Sequence, residues 1–467
     1  MQRLLIPDTL RTILADLDRS GHRALVVGGA VRDALLSIPH KDLDIEVYGI
    51  AYDRLADTLG RYGRVDLVGK SFGVVKLTLS PGGHWDFSVP RRDSKTGLGH
   101  RDFESTFDPT ITPKEAASRR DFTINAMAYD PVTEELLDFF GGRQDLNHGI
   151  LRATSSAFSE DPLRVLRGMQ FACRFNLRVE AETAAMCRSI ADQYATIAIE
   201  RVAEEFMKWA EKAPHPGLIS SYLFDTGWIV HFPEIERLRG VPQDPEWHPE
   251  GDVEVHTMLV LDAAAAIAER DQLEGDDRAV LMFAALAHDF AKADTTSLRE
   301  RHGRMRWSAW GHEEAGGPAA RNFLSRIGIK VAIIDRVEKL VTDHMSHTSI
   351  KDVTSRVVRR LARRLHPATI ADLVRLIEAD ASGRPPLPAG LPERAQRIRE
   401  VAEAEAVHRG PQPPLILGRH VLPYFNGEPG KQIGEVTRAA YDAQMDGAFS
   451  NETEALEWLE RHMSQQQ

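Results

Sequence analysis

A chain of 467 residues, 42% hydrophobic and 27% charged, has the make-up of a globular protein of about three or four domains. Its formal net charge of −11 speaks against nucleic-acid binding driven by overall charge, although a local basic patch can hide within such a total. No apolar run approaches the ~18 residues of a membrane span, the opening MQRLLIPDTL lacks a secretory pattern, and the two cysteines, Cys173 and Cys187, lack metal-ligand spacing, so a cytoplasmic protein with buried, reduced thiols and no membrane partner is expected.

Residues 1 to about 150 alternate short strands with helices. The apolar run Ala24-Leu25-Val26-Val27 predicts a strand, Gly28-Gly29 a tight bend, and the residues after it an amphipathic helix. Two acids, Asp42 and Asp44, close the stretch on a strand in which residues two apart share a face. Glycines at Gly28 and Gly29 let a backbone pass close to a triphosphate, and Arg32 can fork onto phosphate oxygens. Two neighbouring carboxylates repel each other in water; they make sense together around Mg²⁺, which takes hard oxygen ligands and keeps positions open for phosphates. A plain β-turn-α connection and a solvated strand end are the structural alternatives. Joined in one short unit, the two signals favour chemistry.

A helix is expected near Ala51-Leu59, then a strand pair at Val65-Val68 and Val74-Leu79, and a strand at Trp85-Phe87-Val89 on which Asp86 could add a third carboxylate or simply face solvent. Arg91 to Pro113, rich in Arg, Gly, Ser and Thr, reads as a mobile loop of the kind that serves as a lid. Arg119-Arg120-Asp121, followed by an apolar-polar helical start through Ala126, suits a triphosphate or ribose contact, with a surface salt bridge as the alternative. Asp138 to Leu146 reads as a turn closing the domain.

From 151 to 245 the periodicity becomes helical. In Glu160-Asp161-Pro162-Leu163-Arg164, Asp161 is a good N-cap and Pro162 a good first helical residue. Arg164 and Arg167, three apart on one face, are not explained by capping. A carboxylate beside a guanidinium offers acceptors beside donors, which matches the amino group and adjacent ring nitrogen shared by cytosine and adenine and leaves uracil or guanine unpaired. Glu200 to Glu205 reads as a brace for the preceding helix. Pro242 to Pro249 reads as a linker, with Trp247-His248-Pro249 packed against a neighbour.

The stretch 246–383 carries separated histidines and acids. His256 begins one apolar helix, His288-Asp289 ends another, and His312, His344 and Asp380 fall on later helices; such spacing can gather two imidazoles and two carboxylates around one divalent metal in a helical bundle. Arg356, Arg359, Arg360, Arg363 and Arg364 make one basic helix face, either an RNA patch or a solvated surface, opposite Val357, Leu361 and Leu365. After a Pro- and Gly-rich linker, 384–467 forms a helical tail.

These residues resemble the class II tRNA nucleotidyltransferase/poly(A) polymerase family, and most closely the bacterial CCA-adding enzymes with an HD domain. Val27 to Asp33 with Asp42-Leu43-Asp44 is similar to the first family motif, Arg119 to Ala126 to the second, Gly141 to Leu146 to the third, Glu160 to Arg164 to the fourth and Glu200 to Glu205 to the fifth. The resemblance implies an α/β nucleotidyltransferase head with a small mixed sheet (1–150), then an all-α remainder: a nucleotide-selecting, RNA-binding neck and body (151–245), an HD-like domain (246–383) and a tail (384–467). It implies that Asp42 and Asp44 hold Mg²⁺, that Gly28, Gly29, Arg32, Arg120, Asp161, Arg164 and Arg167 bind CTP or ATP, and that the tRNA 3′ acceptor end enters between head and body. The loop from Arg91 to Pro113 would govern the change from CTP to ATP. His256, His288, Asp289 and Asp380 would hold a second divalent metal. Gln170 stands where an arginine commonly follows in the fourth motif, and Ala291 replaces the glycine usual after the His-Asp pair. Poly(A) synthesis or partial CC- or A-addition is the alternative within the same chemistry. An HD metallophosphohydrolase acting on phosphate esters or cyclic nucleotides is the alternative of another class, and a non-catalytic RNA-binding protein is disfavoured by the intact acids Asp42 and Asp44.

Overall fold

The strand Arg23–Val27 (β1) sits inside a seven-stranded sheet, buried from Ala24 onward, and so reads as a continuous apolar run. In the computed structural model, residues 4–39, 42–67, 73–79, 83–95, 103–301 and 303–465 are described, the side chains of 92–95 and 103–106 excepted. The chain divides into two units, Met1–Trp209 with Leu218–His231 and Ala210–Gly217 with Phe232–Gln467.

In the first unit β1 is followed by Asp44–Tyr48 (β2), Arg64–Asp66 (β3), Val74–Leu79 (β4), Gly83–Ser88 (β5), Arg91–Lys95 (β6), Phe103–Phe107 (β7), Ala128–Asp130 (β8) and Glu135–Leu137 (β9). The sheet order is β3-β4-β5-β2-β1-β8-β9. The β2 and β5 strands pair parallel and the other described neighbours antiparallel, which makes the small mixed sheet that was expected. The helix Asp8–Arg19 buries Leu10, Ile13, Leu14 and Leu17, one apolar stripe at helical spacing. Below the motif residues, the helix Leu163–Phe175 passes so close to its neighbours that a Cβ on Gly168 would lie 2.1 Å from the Tyr222 hydroxyl and 2.8 Å from the Phe122 ring. Only glycine fits there.

Three expectations for this unit change. The lid is not a loop throughout: β6 and β7 pair as an antiparallel ribbon, register Arg91↔Phe107, with Phe107 stacked on Tyr52 at 5.6 Å. Its strands, RRDSK and FESTF, pair with each other outside the main sheet, so no apolar alternation announces them. The expected lid's middle, 96–102, and Val68 of the expected strand pair lie outside the described residues, as do residues 40 and 41. Its end is the helix Pro113–Ser118, started by a capping box in which the Thr112 hydroxyl accepts from the Glu115 N–H and Glu115 Oε2 from the Thr112 N–H. Second, the helical start after Arg120 is a single 3₁₀ turn, Thr123–Asn125, before β8, because three residues later the chain must enter the sheet. Third, Gly142–His148 is a helix rather than a turn, Asp138 receiving the N–H groups of Gly142 and Arg143 at its start.

Helices dominate the second unit: Val253–Arg270, Gly275–Ala287, His312–Arg326, Val331–Asp343 and Ile370–Ser382 surround the histidine residues, and Lys431–Asp446 and Glu452–Ser464 form the tail. One antiparallel hairpin, Ser297–Arg301 with Arg304–Ser308, interrupts them and was not anticipated. Trp247 is 57% exposed rather than packed away. The basic face of Ser355–Leu365 is ion-paired, although Arg356, Arg360 and Arg364 stay more than half exposed. Arg356 and Arg360 pair with Asp446 at 2.9 and 2.7 Å, Arg359 with Glu405 at 2.7 Å, Arg364 with Asp343 at 2.6 Å, and Arg363 with Asp442. Those acids lie up to ninety positions away in sequence, where periodicity within one helix cannot find them.

Candidate functional site

Along Asp42-Leu43-Asp44-Ile45 exposure alternates out, in, out, in, so the two acids share a face even though the strand proper begins at Asp44. Asp86 stands opposite Asp44 in the parallel register, and its Oδ1 is buried without a hydrogen-bond partner. Burial pushes the Asp44 carboxyl up, Asp86 and Asp42 push it further, and Arg120 alone opposes them. A carboxylate raised by two acidic neighbours, one of which has an orphaned oxygen, fits a hard divalent cation.

Gly28 turns the chain with φ 73°, and a Cβ there would stand 2.9 Å from Arg120 Nη1. Bend and guanidinium are therefore packed together, and Arg120 also reaches within 3.8 Å of Glu46, the next acid on the Asp42-Asp44 face. Gly29 opens the following helix, Gly29–Leu35. Arg32 is 4% exposed: it donates to Asp33 Oδ1 at 2.9 and 2.6 Å and to Asn125 Oδ1 at 2.5 Å, and lies 4.4 Å from the Phe175 ring centroid. It braces the bend against the helix Leu163–Phe175, where the spacing alone suggested a free phosphate fork.

That helix begins as expected, with Asp161 Oδ1 accepting from the Leu163 N–H at 3.1 Å and Pro162 already helical. Arg164 donates to the carbonyls of Ala157 and Arg119 at 2.7 and 2.8 Å; burial lowers its pKa, and the Asp121 and Asp161 charges oppose that. Arg167 clasps the buried Asp121 at 2.8 Å and approaches Glu205, itself 2% exposed, at 4.0 Å, which is the brace expected of the Glu200 to Glu205 stretch. Gln170 is buried, its amide nitrogen without a partner. A cleft of about 300 Å³ brings Glu46, Ser88, Arg91, Arg119, Arg120 and Arg164 together. The fold thus joins the acid strand, the glycine bend and the Asp161 helix. Glu46 was not singled out in the sequence, although its place two residues past Asp44 is the available signal.

In the second unit His256, His288, Asp289 and Asp380 meet. His256 Nε2 lies 3.4 Å from His288 Nε2 and 3.2 Å from Asp380 Oδ1, and His288 Nε2 lies 3.1 Å from Asp289 Oδ2. Two further histidines join them: His312 Nε2 is 3.4 Å from Asp289 Oδ1 and 3.2 Å from His344 Nε2. Ligand atoms group as His256, His288 and Asp380 on one side and Asp289, His312 and His344 on the other, each set within 4.8 Å. The Nδ1 atoms of His288, His312 and His344 lie 2.8, 2.7 and 2.6 Å from the carbonyls of Ala285, Ala309 and Val341. A carbonyl only accepts, so Nδ1 carries the proton and each Nε2 turns its lone pair inward. Both oxygens of Asp289 are buried and accept no hydrogen bond, although Lys292 Nζ stands 2.8 Å away. Imidazole nitrogens gathered around a buried carboxylate are a donor set that fits a divalent metal.

The charges agree. Burial alone would raise Asp289, but His288 and Lys292 hold it well below the usual carboxylate range; Asp380 is held low by His256 against the same burial. Burial, then the His312 and His288 charges, push His344 down to about 3. Burial likewise disfavours charged His256, yet hydrogen bonds to Asp380 and Glu250 raise it to about 9. His248 and Glu250, which contact each other at 2.9 Å, stand behind His256 in a segment whose turn-rich composition read as a linker. Ala291 has φ −77°, a conformation that needs no glycine.

A poly A polymerase head domain model matches residues 24–152 and an HD domain model residues 253–381. A protein named multifunctional CCA protein from Laribacter hongkongensis is 35% identical over 411 residues, covering 86% of this chain and 95% of its own. Another of that name from Methylococcus capsulatus is 38% identical over 397 residues, covering 82% and 87%. Among solved structures, the Bacillus stearothermophilus CCA-adding enzyme in complex with CTP superposes with a TM-score of 0.66 at 20% identity over 98% of both chains. The Thermotoga maritima CCA-adding enzyme complexed with tRNA gives 0.55 at 20% identity, over 98% of this chain and 97% of its own.

Proposed function

This chain belongs to the family of CCA-adding tRNA nucleotidyltransferases, and on that premise we propose that it adds CMP and AMP, without a nucleic-acid template, to the tRNA 3′ end from CTP and ATP. The observation that supports the reading is the head cleft, lined by Glu46 from the acid strand, by Arg120, which packs on the Gly28 bend, and by Arg164 from the helix start after Asp161. Asp42 and Asp44 hold Mg²⁺, with Asp86 beside them in register. Mg²⁺ held by these carboxylates would supply Lewis acidity for the RNA 3′-OH and positive charge to offset the departing pyrophosphate. Gly28, Gly29 and Arg120 position the triphosphate, while Arg32 and Arg167, clamped by Asp33 and Asp121, keep the bend and the helix in register. Asp161 and Arg164 read the edge common to cytosine and adenine. Their acceptor and donor sit on one helix end, so uracil and guanine leave buried groups unpaired.

Its partners are the tRNA 3′ acceptor end, CTP and ATP. No described helix is long and apolar enough to cross a membrane, and the buried thiols of Cys173 and Cys187, in no disulfide, suit the cytoplasm. The test is to supply tRNA ending at the discriminator base with each nucleotide triphosphate, singly and together, and to sequence the products. The expected product is C-C-A and nothing longer. A run of adenosines, or addition that stops after C-C, would replace this reading by one of its relatives.

A second activity is favoured by Asp289, whose two unpartnered oxygens lie between two sets of imidazoles. The cluster binds divalent metal and hydrolyses phosphate esters. His256, His288 and Asp380 form one ligand set and His312 and His344 the other, with Asp289 shared. Metal analysis of the protein and of His288→Ala, alongside phosphoester hydrolysis, tests it; a metal content unchanged by the substitution would remove the cluster from the reading.

A further inference from the structure

Glu46, two residues past Asp44 on β2, lines the head cleft together with Arg91, Arg119, Arg120 and Arg164. Guanidiniums in such number suit a polyphosphate, whereas a carboxylate among them repels one and needs another reason to be there. Its contacts supply that reason. Glu46 Oε2 accepts from the Tyr48 hydroxyl at 2.5 Å and stands 3.8 Å from Arg120 Nη2. Tyr48, two residues further along the strand, shares the face and packs in a small core cluster with Leu25, Val27 and Ala128, so its hydroxyl is anchored by buried neighbours. Ser88 stands opposite Glu46 in the parallel register, but its hydroxyl donates to the Ile45 carbonyl at 3.3 Å. Arg120 in turn lies between two demands. Its Nη1 packs 2.9 Å from where a Gly28 Cβ would stand, and its charge also acts on Asp44.

We propose that Glu46 is a positioning residue for nucleotide transfer: anchored by Tyr48, it keeps the Arg120 guanidinium at the Gly28 bend, where the triphosphate binds, and off the Asp42-Asp44 pair. It acts through Arg120 and touches neither substrate nor metal. The inference rests on the reading of the head cleft as the CTP and ATP site and adds the residue that orders one of its cations. Without Glu46, the nearest strong attraction on Arg120 is Asp44, and a guanidinium that forks onto that carboxylate competes with Mg²⁺ for the same oxygens. An acid that repels the substrate slightly thus keeps a cation aimed at it, and orientation of that kind is worth more than the repulsion costs.

Steady-state incorporation of CMP into tRNA and calorimetric binding of CTP, both on the full chain, test the role, with thermal melting as the check on folding. In Glu46→Ala the KM for CTP is expected to rise about fivefold or more, and the Mg²⁺ concentration for half-maximal rate to rise with it, while the KM for tRNA stays within about twofold. Glu46→Gln keeps the shape and an acceptor oxygen and should recover part of the loss. Tyr48→Phe keeps the buried ring and should move the KM for CTP the same way by about twofold. The double variant is decisive. In an Arg120→Ala background, Glu46→Ala should change CTP affinity by less than about twofold, because the group it acts through is gone. An effect of full size there makes Glu46 an independent contact, and a KM for CTP unchanged or lowered in Glu46→Ala makes it a plain strand residue; either result overturns the proposal. The enzyme reading fails separately. If the unaltered protein incorporates neither CMP nor AMP, while CTP affinity still falls in Glu46→Ala and not in the Arg120→Ala background, the positioning role stands and the activity falls; CTP binding indifferent to Glu46 overturns the role whatever the activity.

Discussion

The acid strand of the head and the histidine cluster both gather carboxylates, but they treat charge in opposite ways. At the strand, Asp44 is pushed up by burial and by Asp86 and Asp42, with Arg120 the opposing charge. In the cluster, Asp289 and Asp380 are buried yet held well below the usual range by imidazoles and Lys292. An open set of mutually repelling acids is poised for a cation that arrives with a polyphosphate and leaves with it. A buried set of acids interleaved with imidazoles has the donor chemistry that a resident divalent ion requires. The proposed transient metal site is thus made of neighbours in sequence, and the proposed resident one of residues spread over more than a hundred positions.

The largest effect that would test this contrast comes from the strand. Asp42→Ala with Asp44→Ala is expected to lower nucleotide incorporation by about 10³-fold or more, with thermal stability unchanged or raised because repulsion is relieved. Phosphoester hydrolysis at the cluster should stay as it was. Incorporation within tenfold of the starting rate would take the two acids out of the mechanism. Next comes Asp289→Ala, which removes the carboxylate shared by both ligand sets. Bound metal should disappear and phosphoester hydrolysis fall by about 10²-fold or more, with CCA addition intact. Metal retained at full stoichiometry would show that Asp289 is only a buried structural acid.

Legibility in the sequence followed the same divide. Gly28, Gly29, Asp42 and Asp44 stand within one strand-turn-helix-strand unit, so local pattern sufficed to gather them. Asp86 was visible as a candidate, but only the parallel register with Asp44 places it opposite. The cluster was half legible. His256, His288, Asp289 and Asp380 lie at helix starts and ends, where an apolar run makes a histidine conspicuous. His312 and His344 were noticed on their helices yet could not be assigned to a second ligand set, since nothing in the sequence says that His288 and His312 approach different oxygens of Asp289. His248 sat in the stretch Pro242 to Pro249 that read as a linker, and Glu250 just beyond it was not singled out. The polar ribbon β6–β7 was hidden for the same reason: RRDSK and FESTF carry no apolar alternation.

A smaller effect, in pH, sharpens the idea of a resident ion. His256 is held protonated up to about 9 by Asp380 and Glu250 against its burial, and its Nε2 must lose that proton to bind metal. Metal affinity should therefore rise from pH 7, by up to about tenfold per unit, and level off above about 9. Glu250, held down to about 2 by hydrogen bonds from His248 and His256 despite burial, stays anionic throughout. Glu250→Gln weakens its hold on the His256 proton, so the rise should flatten at lower pH. Chelator competition across the range reads both curves, and a pH-independent affinity would contradict the assignment of His256 as a ligand.

Least in size, and most direct as a check on what a helical pattern can say, is the basic face of Ser355–Leu365. Arg356 and Arg360 are both more than half exposed and share Asp446, itself 32% exposed. Exposed pairs of this kind contribute roughly 0–1 kcal/mol each. Arg356→Ala with Arg360→Ala is therefore expected to lower unfolding free energy by no more than about 2 kcal/mol in urea titrations. If the face serves as a seam to Lys431–Asp446 rather than as an RNA surface, tRNA affinity and its salt dependence should stay within about twofold of the starting values. Loss of two phosphate contacts would instead reduce the slope of log affinity against log salt by nearly two. That larger change would return the five arginines to the RNA-binding role that their spacing suggested, with Asp446 and Asp442 acting as the groups that RNA displaces.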